Sequence, residues 1–159
     1  MDWQEINKKF NNLISQLFHD ENWQNRANAA RELGIIRDGR AVNLLCRALR
    51  LEKDKMVQNR IIEAMGRIGD GRATLRIIEK FKEEINKDPI DKFRIIYMIE
   101  SLMKIKDKRA LAYIGRFLNS HDEDLKKLAE KAFDIIAPNW RQIIEKQRKE
   151  KSISDIFRI

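Results

Sequence analysis

The octapeptide Gly34–Ala41, GIIRDGRA, returns thirty-two residues later as GRIGDGRA, Gly66–Ala73. The glycine, one isoleucine and the whole DGRA tetrad keep their places. A third, altered copy, MKIKDKRA, spans Met103–Ala110, thirty-seven residues after the second. A unit that recurs at such a period cannot bury its apolar face alone and must stack on its neighbours. The recurrence therefore confines the chain to a repeat architecture before any other property is weighed.

The segments between copies read as helices. From about Trp3 to Phe18, Trp3, Ile6, Phe10, Leu13, Ile14 and Leu17 fall at three- and four-residue spacing, one apolar stripe on a helix. Asp2 and Glu5 have the spacing of a capping box. This helix lies outside the repeat register and reads as an N-terminal cap, residues 1–19. The array follows over 20–151, with repeats at about 20–50, 54–82, 88–119 and 121–151, and a tail at 152–159.

Each repeat has an A helix stopped by the recurrent glycine, Gly34 or Gly66, and a B helix capped by the aspartate, Asp38, Asp70 or Asp107. Trp23, Ala29, Ala30 and Leu33 are expected to face inward in the first A helix. Phe93, Ile96, Ile99, Leu102 and Met103 take that part in the third. A charged insertion, Lys82–Lys87, accounts for the longer second period, after which Asp88 and Pro89 read as cap and first-turn proline. The third B helix turns Ala110, Ile114, Phe117 and Leu118 inward. Asp122 begins the fourth A helix, Pro138 ends it, and a last helix carries Trp140, Ile143 and Ile144. No segment alternates with the period of a strand. The fold expected is all-α: an α-solenoid of about four helical pairs behind an N-terminal capping helix.

These residues resemble a known family. Arg26, Ala29, Ala30, Leu33, Gly34, Ile36, Asp38, Arg40, Ala41 and Leu45 are similar to the short HEAT repeat of the phycobilisome-lyase type. Gly66–Ala73 carries the same motif and Asp107–Ala110 a worn form of it. The resemblance covers roughly residues 20–137. It implies a right-handed superhelix with A helices on the convex side and B helices on the concave side. Such repeats serve scaffolds, adaptors, lyases and nucleic-acid binders, so the fold does not choose the function.

Catalytic and metal chemistry find little footing. The two histidines, His19 and His121, fall in different turns, and the acidic run His121–Asp124 reads as a helix N-terminus loaded with acids. Cys46, the single cysteine, stands where the second repeat has Ile78 and reads as a small apolar filler. One cysteine forms no intramolecular disulfide. No glycine-rich phosphate loop is present, and Gly69–Gly71 reads as a turn. No catalytic residue, cofactor or metal is expected. No apolar run reaches the ~20 residues that cross a bilayer, and a cytoplasmic protein is expected.

Charge is the informative signal. The formal net charge is +8, and it is unevenly placed. The B segments Gly39–Arg50, Gly71–Lys82 and Lys108–Asn119 and the last helix, Asn139–Lys151, each carry a net three positive charges, while the first A helix is balanced and the fourth acidic. On a concave B face the stripe comprises Arg40, Arg47, Arg50, Arg72, Arg76, Lys80, Arg109, Arg116 and, in the last helix, Arg141. Arg40, Arg72 and Arg109 have a structural reading as well, pairing with an aspartate of their own or the next repeat. Trp3, Trp23 and Trp140 lie on apolar stripes and are expected in the core, which leaves Tyr113 as the aromatic within reach of the cations.

Two partner classes follow: an acidic protein surface, or DNA or RNA held by its phosphates without base readout. Ile153, Ile156 and Phe157 would form one apolar turn in the tail. That turn is similar to the sliding-clamp-binding box of replication proteins, with Glu150 where the box has glutamine; the alternative is a turn that folds back as a cap on the last repeat.

Overall fold

The computed structural model describes the backbone of residues 1–157 and the side chains of residues 1–151. Among the described residues the regular structure is entirely helical. Helix α1 spans Trp3–His19, α2 Trp23–Ile36, α3 Ala41–Leu51, α4 Lys55–Ile68, α5 Thr74–Ile85, α6 Lys92–Ile105, α7 Leu111–Ile114, α8 Glu123–Ile136 and α9 Trp140–Phe157. Three 3-10 turns, Gly71–Ala73, Lys108–Ala110 and Gly115–Asn119, sit between them. The apolar tail residues Ile153, Ile156 and Phe157 lie outside the described side chains.

Helices α2, α4, α6 and α8 stand side by side as the A layer. The second layer is formed by α3, α5 and the α7 segment, and α1 closes the first end by packing on α2 and α3. The capping box of α1 is complete: the Glu5 N–H donates to Asp2 Oδ1 at 2.8 Å and the Asp2 N–H to Glu5 Oε2 at 3.1 Å. One continuous core runs through the stack, with Leu33, Leu45, Leu49, Ile61, Ile77, Phe81, Ile95 and Ile99 all removed from solvent. Phe81 meets Phe117 edge to face at 5.9 Å, joining the second and third B elements.

The recurrent glycine is not the helix stop expected of it. Gly34 and Gly66 lie inside α2 and α4. A Cβ on Gly34 would sit 2.8 Å from the Ala64 Cα, and one on Gly66 2.7 Å from the Ser101 Cα. Carbon atoms prefer ~3.5–4.0 Å, so these glycines let neighbouring A helices touch backbone to backbone. The third copy has Met103 there, and α6 packs less extensively on α8 than α2 does on α4. The stop comes three residues later, at Arg37, Gly69 and Lys106, whose φ angles of 55°, 75° and 61° are left-handed.

Other expectations also change. Trp3, Trp23 and Phe93 are not core residues: they are 67%, 42% and 73% exposed. Each begins its helix or stands second in it. Spacing fixes a side chain's angle around the axis, but not whether a neighbour reaches that far along it. Trp140 is half-buried, its ring edge on Phe133 at 5.3 Å, while Ile143 is exposed. Helix α6 is capped by Asp91, whose Oδ1 accepts from the Phe93 and Arg94 N–H groups, and not by Asp88 and Pro89. The charged insertion continues α5 to Ile85 as helix. The third B helix is only Leu111–Ile114 before tightening into a 3-10 turn.

Candidate functional site

The DGRA tetrad builds a ladder along one edge of the stack. Each aspartate caps the tight turn opening its B element by accepting from a backbone N–H two residues on: Arg40 at 2.9 Å, Arg72 at 2.8 Å, Arg109 at 2.9 Å. The same carboxylate takes that arginine's guanidinium, with Nη2–Oδ2 distances of 2.6, 2.8 and 2.6 Å. The guanidinium then reaches back one repeat. Arg72 Nη2 donates to the Gly39 carbonyl at 3.0 Å and Arg109 Nη2 to the Gly71 carbonyl at 3.3 Å. Arg40, with no repeat before it, donates from Nη1 to Asn7 of α1 at 2.9 Å and lies 4.5 Å from the Phe10 ring centroid. The structural reading of these three arginines therefore holds.

Electrostatics follow the geometry. The arginine hydrogen bonds hold the Asp38, Asp70 and Asp107 carboxyls below their ordinary range, Asp107 at about 2. The ladder still faces water, because the Arg72 and Arg109 side chains remain 49% and 54% exposed. A shallow groove of about 500 Å³ runs beside them, with Asn43 and Leu75 on its walls.

The remaining predicted cations differ in how far the fold engages them. Arg47 and Arg116 are exposed and, among the described residues, make no ion pair. Arg50 reaches Glu79 at 3.3 Å, but that carboxylate is held more closely by Arg76 at 2.7 Å. Arg76 and Lys80 are only 21% and 15% exposed in their side chains, and Lys80 pairs with Glu83 at 3.2 Å. Arg141 lies apart on α9, donating to Asp134 at 2.6 Å and stacked 4.4 Å over Trp140. Tyr113 is half-buried with Lys82 Nζ 5.2 Å over its ring, while the exposed Trp3 ring lies 5.5 Å from the Arg40 guanidinium.

The opposite edge carries polar staples that the repeat motif did not reveal. Arg26 forms a fork on Glu52, at 2.9 and 3.1 Å, and donates to the Asp20 carbonyl at 2.9 Å, tying the end of α1 to the turn between α3 and α4. Deeper, Arg94 is 3% exposed and Glu84 1%. Arg94 donates to Glu84 at 3.3 Å, Gln58 at 2.9 Å, Asn59 at 3.1 Å and the Lys55 carbonyl at 3.3 Å. Burial pushes the Glu84 carboxyl up, but Lys87, the Asp91 N–H and Arg94 outweigh it and hold it below its ordinary value. A signal did exist: Glu84 and Gln58 stand in the apolar phase of their helices, three residues from Phe81 and Ile61.

His19 and His121 are exposed, and among the described residues no group of three His, Cys, Asp or Glu side chains could hold a metal ion. Asp122 and Asp124 instead receive Lys92 Nζ at 3.0 and 2.7 Å. Burial raises the Cys46 thiol pKa and its Sγ lies 3.9 Å from the Arg72 carbonyl, the setting of a packed thiol and not of a nucleophile. No described helix is long and apolar enough to cross a membrane.

Helical pairs stacked in two layers and tied by a repeated Asp–Arg link define an α-solenoid. The family model for HEAT repeats matches residues 10–85, from within α1 to the end of α5, and that stretch reads as a run of HEAT repeats. The match does not extend to the phycobilisome-lyase subtype. No curated protein matches the chain.

Proposed function

We propose that the chain is a non-enzymatic, cytoplasmic scaffold that holds an acidic partner protein against the cations of its B elements. The reading rests on one observation, the uneven engagement of those cations. Arg47 and Arg116 are exposed without an ion pair among the described residues, and Arg50 has only a shared, distant carboxylate. Arg72 and Arg109 spend Nε and Nη2 on the fold and keep their side chains about half exposed. A guanidinium already oriented by one carboxylate loses less freedom on meeting a second. The HEAT repeats themselves favour a protein as partner. Arg76 and Lys80, half-buried and paired, contribute less.

The same cations support a second reading, sequence-independent binding of nucleic acid, which the net charge of +8 favours. Fluorescence anisotropy of a labelled oligoglutamate and of labelled duplex DNA, each across a salt series, separates the two. On the protein-partner reading the oligoglutamate binds, the triple variant Arg47→Glu, Arg50→Glu, Arg116→Glu abolishes that binding, and DNA binds weakly. A DNA salt slope near −5, the mark of about six neutralised phosphates, lost in the same variant, would carry the second reading. Failure of both probes at low salt would end both.

A further inference from the structure

The fold exposes a second surface, on the A layer. Trp23, Met56 and Phe93, 42%, 48% and 73% exposed, stand at the first or second residue of α2, α4 and α6. Met56 and Phe93 hold the same place in successive repeats, and Trp23 stands one residue out of that register. Trp23 and Met56 wall a groove of about 290 Å³ floored by Ala27, with Arg31 and Arg60 along it. All of its lining comes from α2 and α4, so it is separate from the cations of the B elements.

Three properties of this groove select one kind of occupant. Its volume lies at the bottom of the ~300–1,000 Å³ typical of small-molecule sites, which suits an anchoring side chain better than a cofactor. Its ionisable lining residues are both arginines. Their countercharge is thin: Arg31 reaches Glu32 only at 3.7 Å, and Arg60 shares Glu63 with Arg67, at 2.8 and 3.0 Å. The Gln24 and Asn28 amides add donors and acceptors beside the apolar wall. An aromatic, a methionine and arginines side by side are also the residue types enriched where proteins meet.

We propose that this α2–α4 groove is a docking site for a short segment of another protein, one that carries a large apolar anchor followed within a turn by Asp or Glu. The anchor lies between Trp23 and Met56, and its carboxylate meets Arg31 and Arg60. The site works independently of the B elements, so the scaffold engages two partners, or two parts of one, on its two layers.

Selection of a random-peptide phage library on the intact protein tests this. The expected consensus pairs an aromatic or leucine with a nearby acidic residue. Synthetic peptides of that consensus should bind about tenfold more weakly, or worse, to Trp23→Ser and to the double variant Arg31→Glu, Arg60→Glu. They should bind unchanged to Arg47→Glu with Arg116→Glu, which separates this site from the B-element reading. Met56→Gln serves as the readout if Trp23→Ser melts early. No enriched consensus, a consensus without carboxylates, or peptides indifferent to Trp23→Ser and Met56→Gln would overturn the proposal. So would a dimer in sedimentation that Trp23→Ser dissolves, since the occupant would then be a second copy of the chain.

Discussion

Along one edge of the stack the Asp–Arg pairs recur with the sequence and stand half in water. Along the other, Arg94 and Glu84 form the most deeply buried pair among the described residues, with the less buried Arg26–Glu52 fork on the same edge. Both edges join successive repeats, yet they do so at different depths and different cost. A ladder pair gains a short charge-assisted bond but remains solvated, where such pairs add little to stability. Arg94 has given up its water for Glu84, Gln58, Asn59 and a backbone carbonyl, so removing one partner strands a charge in the core. The lesson is that recurrence marks geometry, here a turn reproduced once per repeat, whereas burial marks energetic consequence.

The buried staple should give the largest effect. Glu84→Gln or Arg94→Met is expected to cost about 3–5 kcal/mol in urea unfolding. The double variant Glu84→Leu with Arg94→Met should recover much of that loss, because no unpaired charge is left in the core and Lys87, 45% exposed, can turn to water. A single variant that unfolds like the parent would mean the two edges do not differ.

Next comes the contact between A helices. Gly66→Ala should destabilise by about 1–3 kcal/mol through overpacking on Ser101, and Ser101→Gly added to it should restore only part of the loss, because the Cα at 2.7 Å remains while the Cβ and Oγ are removed. An ordinary helix position would instead gain about 1 kcal/mol from the alanine. That gain would refute the close approach.

The ladder gives a smaller effect with a pH signature. Asp107→Asn keeps the cap acceptor and loses the charge on Arg109, for about 1 kcal/mol at neutral pH. Asp38, Asp70 and Asp107 all titrate below their ordinary values in the folded state. Their contribution is therefore complete above the unfolded carboxyl value of 3.8 and is lost as pH falls towards about 2. Melting temperature followed over that window should fall less steeply for Asp107→Asn than for the parent. Equal slopes would remove Asp107 from the linkage.

Smallest, and opposite in sign, are the left-handed stops. Arg37→Gly and Lys106→Gly should each stabilise by about 0.5–1 kcal/mol, since glycine accepts positive φ without the Cβ clash. Thermal melts check this, and destabilisation by both would argue that their side chains matter more than their backbone.

Much of the fold was legible in the chain. The thirty-two-residue return of DGRA, the apolar stripes of α1, α3 and α8, and the capping box at Asp2 and Glu5 depend on neighbours close in sequence. The local chemistry of a carboxylate two residues before an arginine also announced the Asp–Arg pairs. Three matters were decided only when helices met. Gly34 and Gly66 read as stops but are contact points, because the clash that requires glycine lies on the next A helix. Trp23 and Phe93 read as core but stand at the surface, because periodicity gives an angle and not how far the neighbouring helix extends. Arg94 carries no signal of its own in the sequence, because its partners lie ten to thirty-nine residues away. Which cations the fold engages was decided partly the same way: Arg47 and Arg50 carry equal charge in the sequence, and only packing brought Glu79, from the next repeat, to 3.3 Å from Arg50.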